Sequence, residues 1–233
     1  MRKLLVLLVI TFFSGLVVAK DRPVVAVLDF TNDTRAHWWR TDVGHELGGM
    51  LANELTSTGA FKVVERQRLD SVLGEQDLGA SGRVNPATAA KMGKVTGAQY
   101  LITGKVAAYE ENTKGTGGGL SFKGISLGGK SQQAYLAIDL RVINATTGEV
   151  EYVRTIEGRS KGGGMSVGLY RGGFGGSLGG HKKTPTGKAI RAALVEATDY
   201  LACVMYDQDG CVREYREKER SRREKTKSSL SLD

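Results

Sequence analysis

Ala134-Tyr135-Leu136-Ala137-Ile138-Asp139-Leu140-Arg141-Val142-Ile143-Asn144 is the stretch on which the fold turns. Leu136, Ile138, Leu140 and Val142 share one face, while Ala137, Asp139 and Arg141 take the other, the period of a half-buried strand. Thr147-Gly148 supplies a turn and Val150-Glu151-Tyr152-Val153-Arg154 reads as the returning strand, so residues 134–157 form a central β-hairpin. A glycine-rich arm flanks it on each side, over 112–133 and 158–183. Of the 66 residues from Gly115 to Gly180, 19 are Gly, roughly four times the usual share of about 7%. Leu120, Phe122, Ile125, Leu127, Met165, Val167, Leu169 and Phe174 are interleaved among them. That pattern marks the arms as strands with something to bury, on assembly with neighbouring subunits, rather than as flexible linkers.

Upstream, the chain opens like an exported protein. Arg2 and Lys3 precede the apolar run Leu4–Val18, and Val17-Val18-Ala19 fits a signal-peptidase site, so residues 1–19 are expected to be a cleaved leader. A spanning helix needs about 20 apolar residues and this run is shorter. No Cys lies near the cleavage site to carry a lipid. Loss of Arg2 and Lys3 lowers the formal charge from +8 to +6, basic but not extreme. No other segment is apolar enough for a membrane helix, so any insertion is expected to be as a β-barrel.

The first part of the mature chain, 20–111, alternates strands and helices. Val24–Phe30 is a β-branched strand, followed by a polar loop, Thr31–Arg40, that contains Trp38 and Trp39. Thr41 or Asp42 caps a helix with the stripe Val43, Leu47, Met50, Leu51 and Leu55, which Gly59 ends. The strand Phe61–Val64 precedes a helix over Arg66–Glu75 with Leu69, Val72 and Leu73 expected to be buried. Asn85 and Pro86 open a third expected helix, and Ala98–Ala108 is another strand. Beyond the arms, 184–211 holds a helix from Thr184-Pro185 to about Met205, with Ile190, Leu194, Ala197 and Leu201 inward. The expected fold class is α+β, an α/β-type sandwich domain carrying the two glycine-rich arms.

Catalytic readings fare poorly against these residues. Gly124-Ile125-Ser126-Leu127-Gly128-Gly129-Lys130-Ser131 satisfies G-x-x-x-x-G-K-S, but that loop needs a following helix and an alternating strand follows instead. His45-Glu46 lacks the second His of a zinc-protease helix, and His37 and His181 stand apart. No enzyme activity, cofactor or metal is expected. Cys203 and Cys211 are the only cysteines; with a turn at Asp207–Gly210 and an oxidising destination they are expected to pair, the alternative being two free thiols. The tail, 212–233, is dense in charge. Its arginines would suit nucleic acid, but after export a solvated helix or a neighbour-subunit contact fits better, so no nucleic-acid partner is expected.

Several ordered motifs resemble the curli secretion-channel (CsgG-like) family. They are Val63-Val64-Glu65-Arg66-Gln67-Arg68-Leu69 with Leu73 and Glu75, then Gly97–Gly104, then Leu140–Asn144 with Thr147-Gly148-Glu149, and Tyr109-Glu110, Asn112 and Lys114. The resemblance runs from about Val24 to Met205. It implies an α/β domain in the periplasm whose arms, as two β-hairpins per subunit, build a shared outer-membrane barrel. It also implies a homo-oligomeric ring, nonameric in the type member, that passes unfolded amyloid subunits outward, with accessory factors as further partners. The competing expectation is a soluble periplasmic adaptor or surface-structure anchor with the same fold. In the family the loop after the first strand forms the narrowest ring of the channel, and its positions fall on Thr34, Trp38 and Trp39. If the arms form a barrel, Lys123, Lys130, Arg159, Lys161 and Arg171 are expected to face its water-filled lumen.

Overall fold

The alternating strand lies inside a mixed, open sheet. The computed structural model describes residues 20–115, 121–122, 125–126, 130–161 and 184–229; the leader over 1–19 and most of both arms lie outside the described residues. Strands β1 (Val24–Val27), β2 (Thr31–Asn32), β3 (Lys62–Val63), β4 (Tyr100–Gly115), β7 (Lys130–Asn144) and β8 (Val150–Lys161) make one sheet. Its order is β3-β1-β4-β7-β8, with β2 pairing β4. The pairs involving β1, β2 and β3 are parallel, whereas β4–β7 and β7–β8 are antiparallel. Two short strands, β5 (Ser121–Phe122) and β6 (Ile125–Ser126), pair separately.

Helices α1 (Val43–Thr58) and α3 (Pro185–Ala202) pack on each other and on the sheet, so both cover one face. Val43, Leu47, Leu51 and Leu55 of α1 are fully buried, the stripe expected from their i, i+4 spacing. Gly59 closes α1 in the left-handed region at φ 69°, where glycine has no Cβ to clash. Asp42 occupies the N-cap position without a side-chain cap bond. At α3, Thr184 accepts a hydrogen bond from the Gly187 N–H at 3.1 Å, and Pro185 follows it. Ala189, Ile190, Ala193, Leu194, Ala197 and Leu201 face the sheet, against Leu136, Ile138, Leu140, Val142 and Ile156. Where α3 crosses β8, a Cβ on Gly158 would strike the Ala189 carbonyl oxygen, so the helix sits directly on bare backbone.

Three expectations from the sequence need correction. No helix forms after Asn85; its side chain accepts from the Ala87 N–H at 3.0 Å and the chain makes only a turn. That segment has no apolar stripe to bury, and a cap cannot sustain a helix without packing. Helix α2 (Leu69–Ala80) does form, but Val72 and Leu73 are exposed and Gln76 is its buried residue. Strand β1 is also shorter than Val24–Phe30, although Leu28 still donates to the Ile102 carbonyl.

After α3 a π-turn, Cys203–Asp207, redirects the chain into α4 (Gly210–Ser229). The Arg154 guanidinium lies over the rings of Tyr200 and Tyr215, 5.1 and 4.7 Å from their centroids, and donates to the Tyr215 carbonyl at 3.2 Å. Farther along α4, Arg222 and then Arg223 hold the Glu219 carboxyl down at about 2. Its contribution to α4 is complete above the ordinary carboxylate range and lost as pH falls through about 2; exposure keeps it small. Gly158→Ala is expected to cost about 1–3 kcal/mol in chemical denaturation, because Ala189 must move to admit the methyl group.

Candidate functional site

The site of interest is the end of the sheet from which both arms leave. The β4–β7 ladder runs unbroken to Gly115 opposite Lys130, save for a bulge between Val106 and Ala108. The β7–β8 ladder runs to Gln133 opposite Lys161. The first arm therefore joins β4 to β7, and the second leaves β8, both at the same end.

The loop after β2 lies at this end as well. Asp33 donates its N–H to the Val106 carbonyl, and its carboxylate meets Lys105 Nζ at 2.7 Å. Thr34 is half-buried in an Asx turn: its N–H and hydroxyl both donate to Asn32 Oδ1, at 2.9 and 2.7 Å. Trp38 is only 5% exposed and stands edge-on to Tyr109 and Trp39, with centroids 5.5 and 5.7 Å away. Trp39 is half-buried against the same core. Within one chain, then, Trp38 belongs to the core and Trp39 lies partly exposed beside it. A large apolar ring in a polar loop gains more from burial than from display. The exposed residues of this loop include Asp33, Arg35, His37 and Arg40.

Tyr109 is the hub that the sequence did not isolate. It donates to Glu111 Oε2 at 2.8 Å and lies 2.9 Å from Thr186 Oγ1, so the first turn of α3 is tied to β4. Burial pushes its hydroxyl up to about 12; the Thr186 hydrogen bond opposes this and Glu111 reinforces it. His37 Nε2 lies 3.6 Å from the other side of this pair, at Glu111 Oε2. The available signal was strand alternation, which puts Tyr109 and Glu111 on one face two residues apart, just before the first arm.

Of the expected lumen cations, Arg159 is exposed on β8, pairs with Glu157 at 2.8 Å and lies over the Tyr135 ring. Lys130 and Lys161 are placed by backbone only, at the strand ends where the arms begin. Lys123 and Arg171 lie outside the described residues. The structure joins Cys203 to Cys211, Cα atoms 6.0 Å apart, pinning the α3 end to the start of α4. Among the described residues no cluster of His, Cys, Asp or Glu has the makings of a metal site.

Trp38→Ala is expected to lower stability by about 3–5 kcal/mol, as a large core truncation does, whereas Trp39→Ala should cost less than half as much. Thermal and urea denaturation of the two single variants separates them. Reduction of the disulfide should lower stability by about 2–3 kcal/mol in the same assay.

Curated relatives include the curli production assembly/transport component CsgG of Escherichia coli K12, 30% identical over 114 residues, which are 47% of this chain and 41% of that protein. A putative lipoprotein of Neisseria meningitidis serogroup B is 29% identical over 161 residues, 68% of this chain and 63% of that protein. The chain thus aligns with less than half of the CsgG relative's length. Among solved structures, hypothetical protein CT253 of Chlamydia trachomatis aligns at TM-score 0.42 and 14% identity, covering 78% of this chain and 97% of that one. Lipoprotein GNA1162 of Neisseria meningitidis aligns at TM-score 0.34 and 14% identity, covering 63% and 89%. The profile of one family matches residues 15–230, most of the sequence, and the chain therefore belongs to the family described as curli production assembly/transport component CsgG.

Proposed function

We propose that the chain is one subunit of a ring-shaped outer-membrane channel that exports unfolded, curli-like protein subunits by diffusion. The observation that carries this reading is the common exit of both arms from one end of a continuous β4–β7–β8 ladder. At about 3.3 Å per residue the 15–16-residue strands β4 and β7 extend roughly 50 Å. That geometry suits strands continuing from a periplasmic body into a barrel wall, and a barrel satisfies every backbone group in lipid. None of the described helices is long and apolar enough to cross a membrane; in this reading the arms are the inserting elements. The protein is envelope-associated after export by the 1–19 leader. It acts by passage rather than by chemistry on its cargo.

In this reading the Asp33–Arg40 loop, held at the arm-bearing end by the Asp33–Val106 bond, borders the channel axis. Trp39 and Thr34 supply the narrow ring while Trp38 anchors the loop from behind. Lys123, Lys130, Arg159, Lys161 and Arg171 face water, since a lipid-facing Lys or Arg at mid-depth costs about 2–4 kcal/mol. Nine subunits would follow the type member of the family.

Reversal potentials in planar bilayers are expected to favour anions; a clear cation preference contradicts the lumen assignment. Trp39→Ala should raise single-channel conductance severalfold with ring assembly unchanged. Unaltered conductance in that variant would move the constriction to other residues.

A further inference from the structure

Helix α2 carries an apolar stripe that the described residues of its own chain leave uncovered. Leu69, Val72, Leu73 and Gln76 fall at i, i+3, i+4 and i+7, a complete amphipathic stripe. Yet Val72 is 40% and Leu73 43% exposed. The helix makes no extended packing with the sheet or with α1, α3 or α4; its C-terminal end rests on its own following segment, at Gly79 against Ala90. A solitary 12-residue helix is marginal in water, so this one calls for an external partner.

A matching surface lies at the opposite side of the sheet. α1 and α3 cover one face, and among the described residues no helix covers the other toward its β8 edge. The register aligns Thr103, Arg141 and Val153 in one row across β4, β7 and β8, and Leu101, Ile143 and Val150 in the next. Val153 is 60% and Val150 47% exposed. Two apolar surfaces without cover therefore sit at opposite ends of the strand order, α2 following β3 and the patch on β7–β8.

Charge distinguishes their surroundings. α2 contains Asp70, Glu75 and Asp77 and no basic residue. The patch itself is mixed: Arg141 lies at its centre, Asp139 and Glu157 share its face, and Glu151 at its rim is bonded to Asn144 Nδ2. Beside it, α4 brings eight Lys and Arg against four Glu. Asp70 and Asp77, seven residues apart, flank the α2 stripe on one side, where they can meet a cation as the stripe is buried.

We infer that α2 of one copy docks on the open β7–β8 face of the next copy, its Val72–Leu73 stripe over Val150 and Val153 and its acids toward Arg141. The occupant is a second copy because one chain carries both halves, an acidic helix with an apolar stripe and an apolar patch beside the basic α4, at positions it cannot bring together within itself. Contact between two different surfaces is head-to-tail, and repeating it closes a ring when the rotation permits. The inference deepens the channel reading by naming the face through which subunits meet, and it rests on that reading.

Cysteine crosslinking of the full, exported chain tests it. The native cysteines are joined to each other, so Val72→Cys and Val153→Cys introduce the reactive thiols, both at exposed positions that leave the core intact. With a short bismaleimide, the double variant is expected to give a ladder of covalent multimers, and each single variant only monomer. Dimers from Val72→Cys alone would overturn the inference in favour of an α2–α2 contact. An internally crosslinked monomer without a ladder would overturn it in favour of a contact within one chain. Rings seen by native mass spectrometry but no ladder would overturn the interface and leave the channel reading standing, whereas absence of any oligomer would overturn both. Asp77→Arg should raise the concentration needed for assembly severalfold, and adding Arg141→Asp should restore it if the two side chains meet.

Discussion

The fold depends on the seat of α3 upon the β7–β8 hairpin. Gly158 lets the Ala189 carbonyl approach the strand backbone, closer than any side chain would allow. Leu136, Ile138, Leu140, Val142 and Ile156 then meet Ile190, Leu194 and Leu201 in one continuous apolar layer. Burial of that order, at about 25 cal/mol per Å² of apolar surface, dominates the stabilising side for a domain of this size. Its consequence is directional. With α3 fixed along the strands, its first turn reaches Tyr109 through Thr186, and Tyr109 in turn supports Trp38. The loop after β2 and the roots of both arms are thereby set in one rigid frame.

That frame was largely legible in the sequence, because its elements bury one face and therefore write their period plainly. The alternation of Leu136 to Val142, the Val43–Leu47–Leu51–Leu55 stripe and the Thr184-Pro185 opening all report local geometry that packing reinforces. Where packing is absent or supplied from elsewhere, the signal misled. The α2 stripe reads as a buried face, yet Val72 and Leu73 stand exposed among the described residues. Asn85-Pro86 reads as a helix start, but nothing downstream gives a helix anything to bury. Trp38 and Trp39 looked alike as neighbours in a polar loop; only the position of Tyr109, 71 residues onward in sequence, separates the core ring from the half-exposed one. Contacts of that range leave no local trace.

These departures share a physical theme. The body formed by α1, α3 and the sheet satisfies its own apolar surface, whereas α2 and the outer face of β7–β8 do not. The disulfide and the Arg154–Tyr200–Tyr215 stack hold α4 against the same edge.

The central claim, that arms from several copies close a membrane barrel on this frame, is tested most directly by electron microscopy of protein extracted from outer membranes in detergent. The account predicts ring particles with a central pore, a detergent belt around the arm-bearing end and the α/β bodies projecting on one side. Recovery of the protein as monomers in the soluble periplasmic fraction, with no ring in the membrane extract, would contradict it.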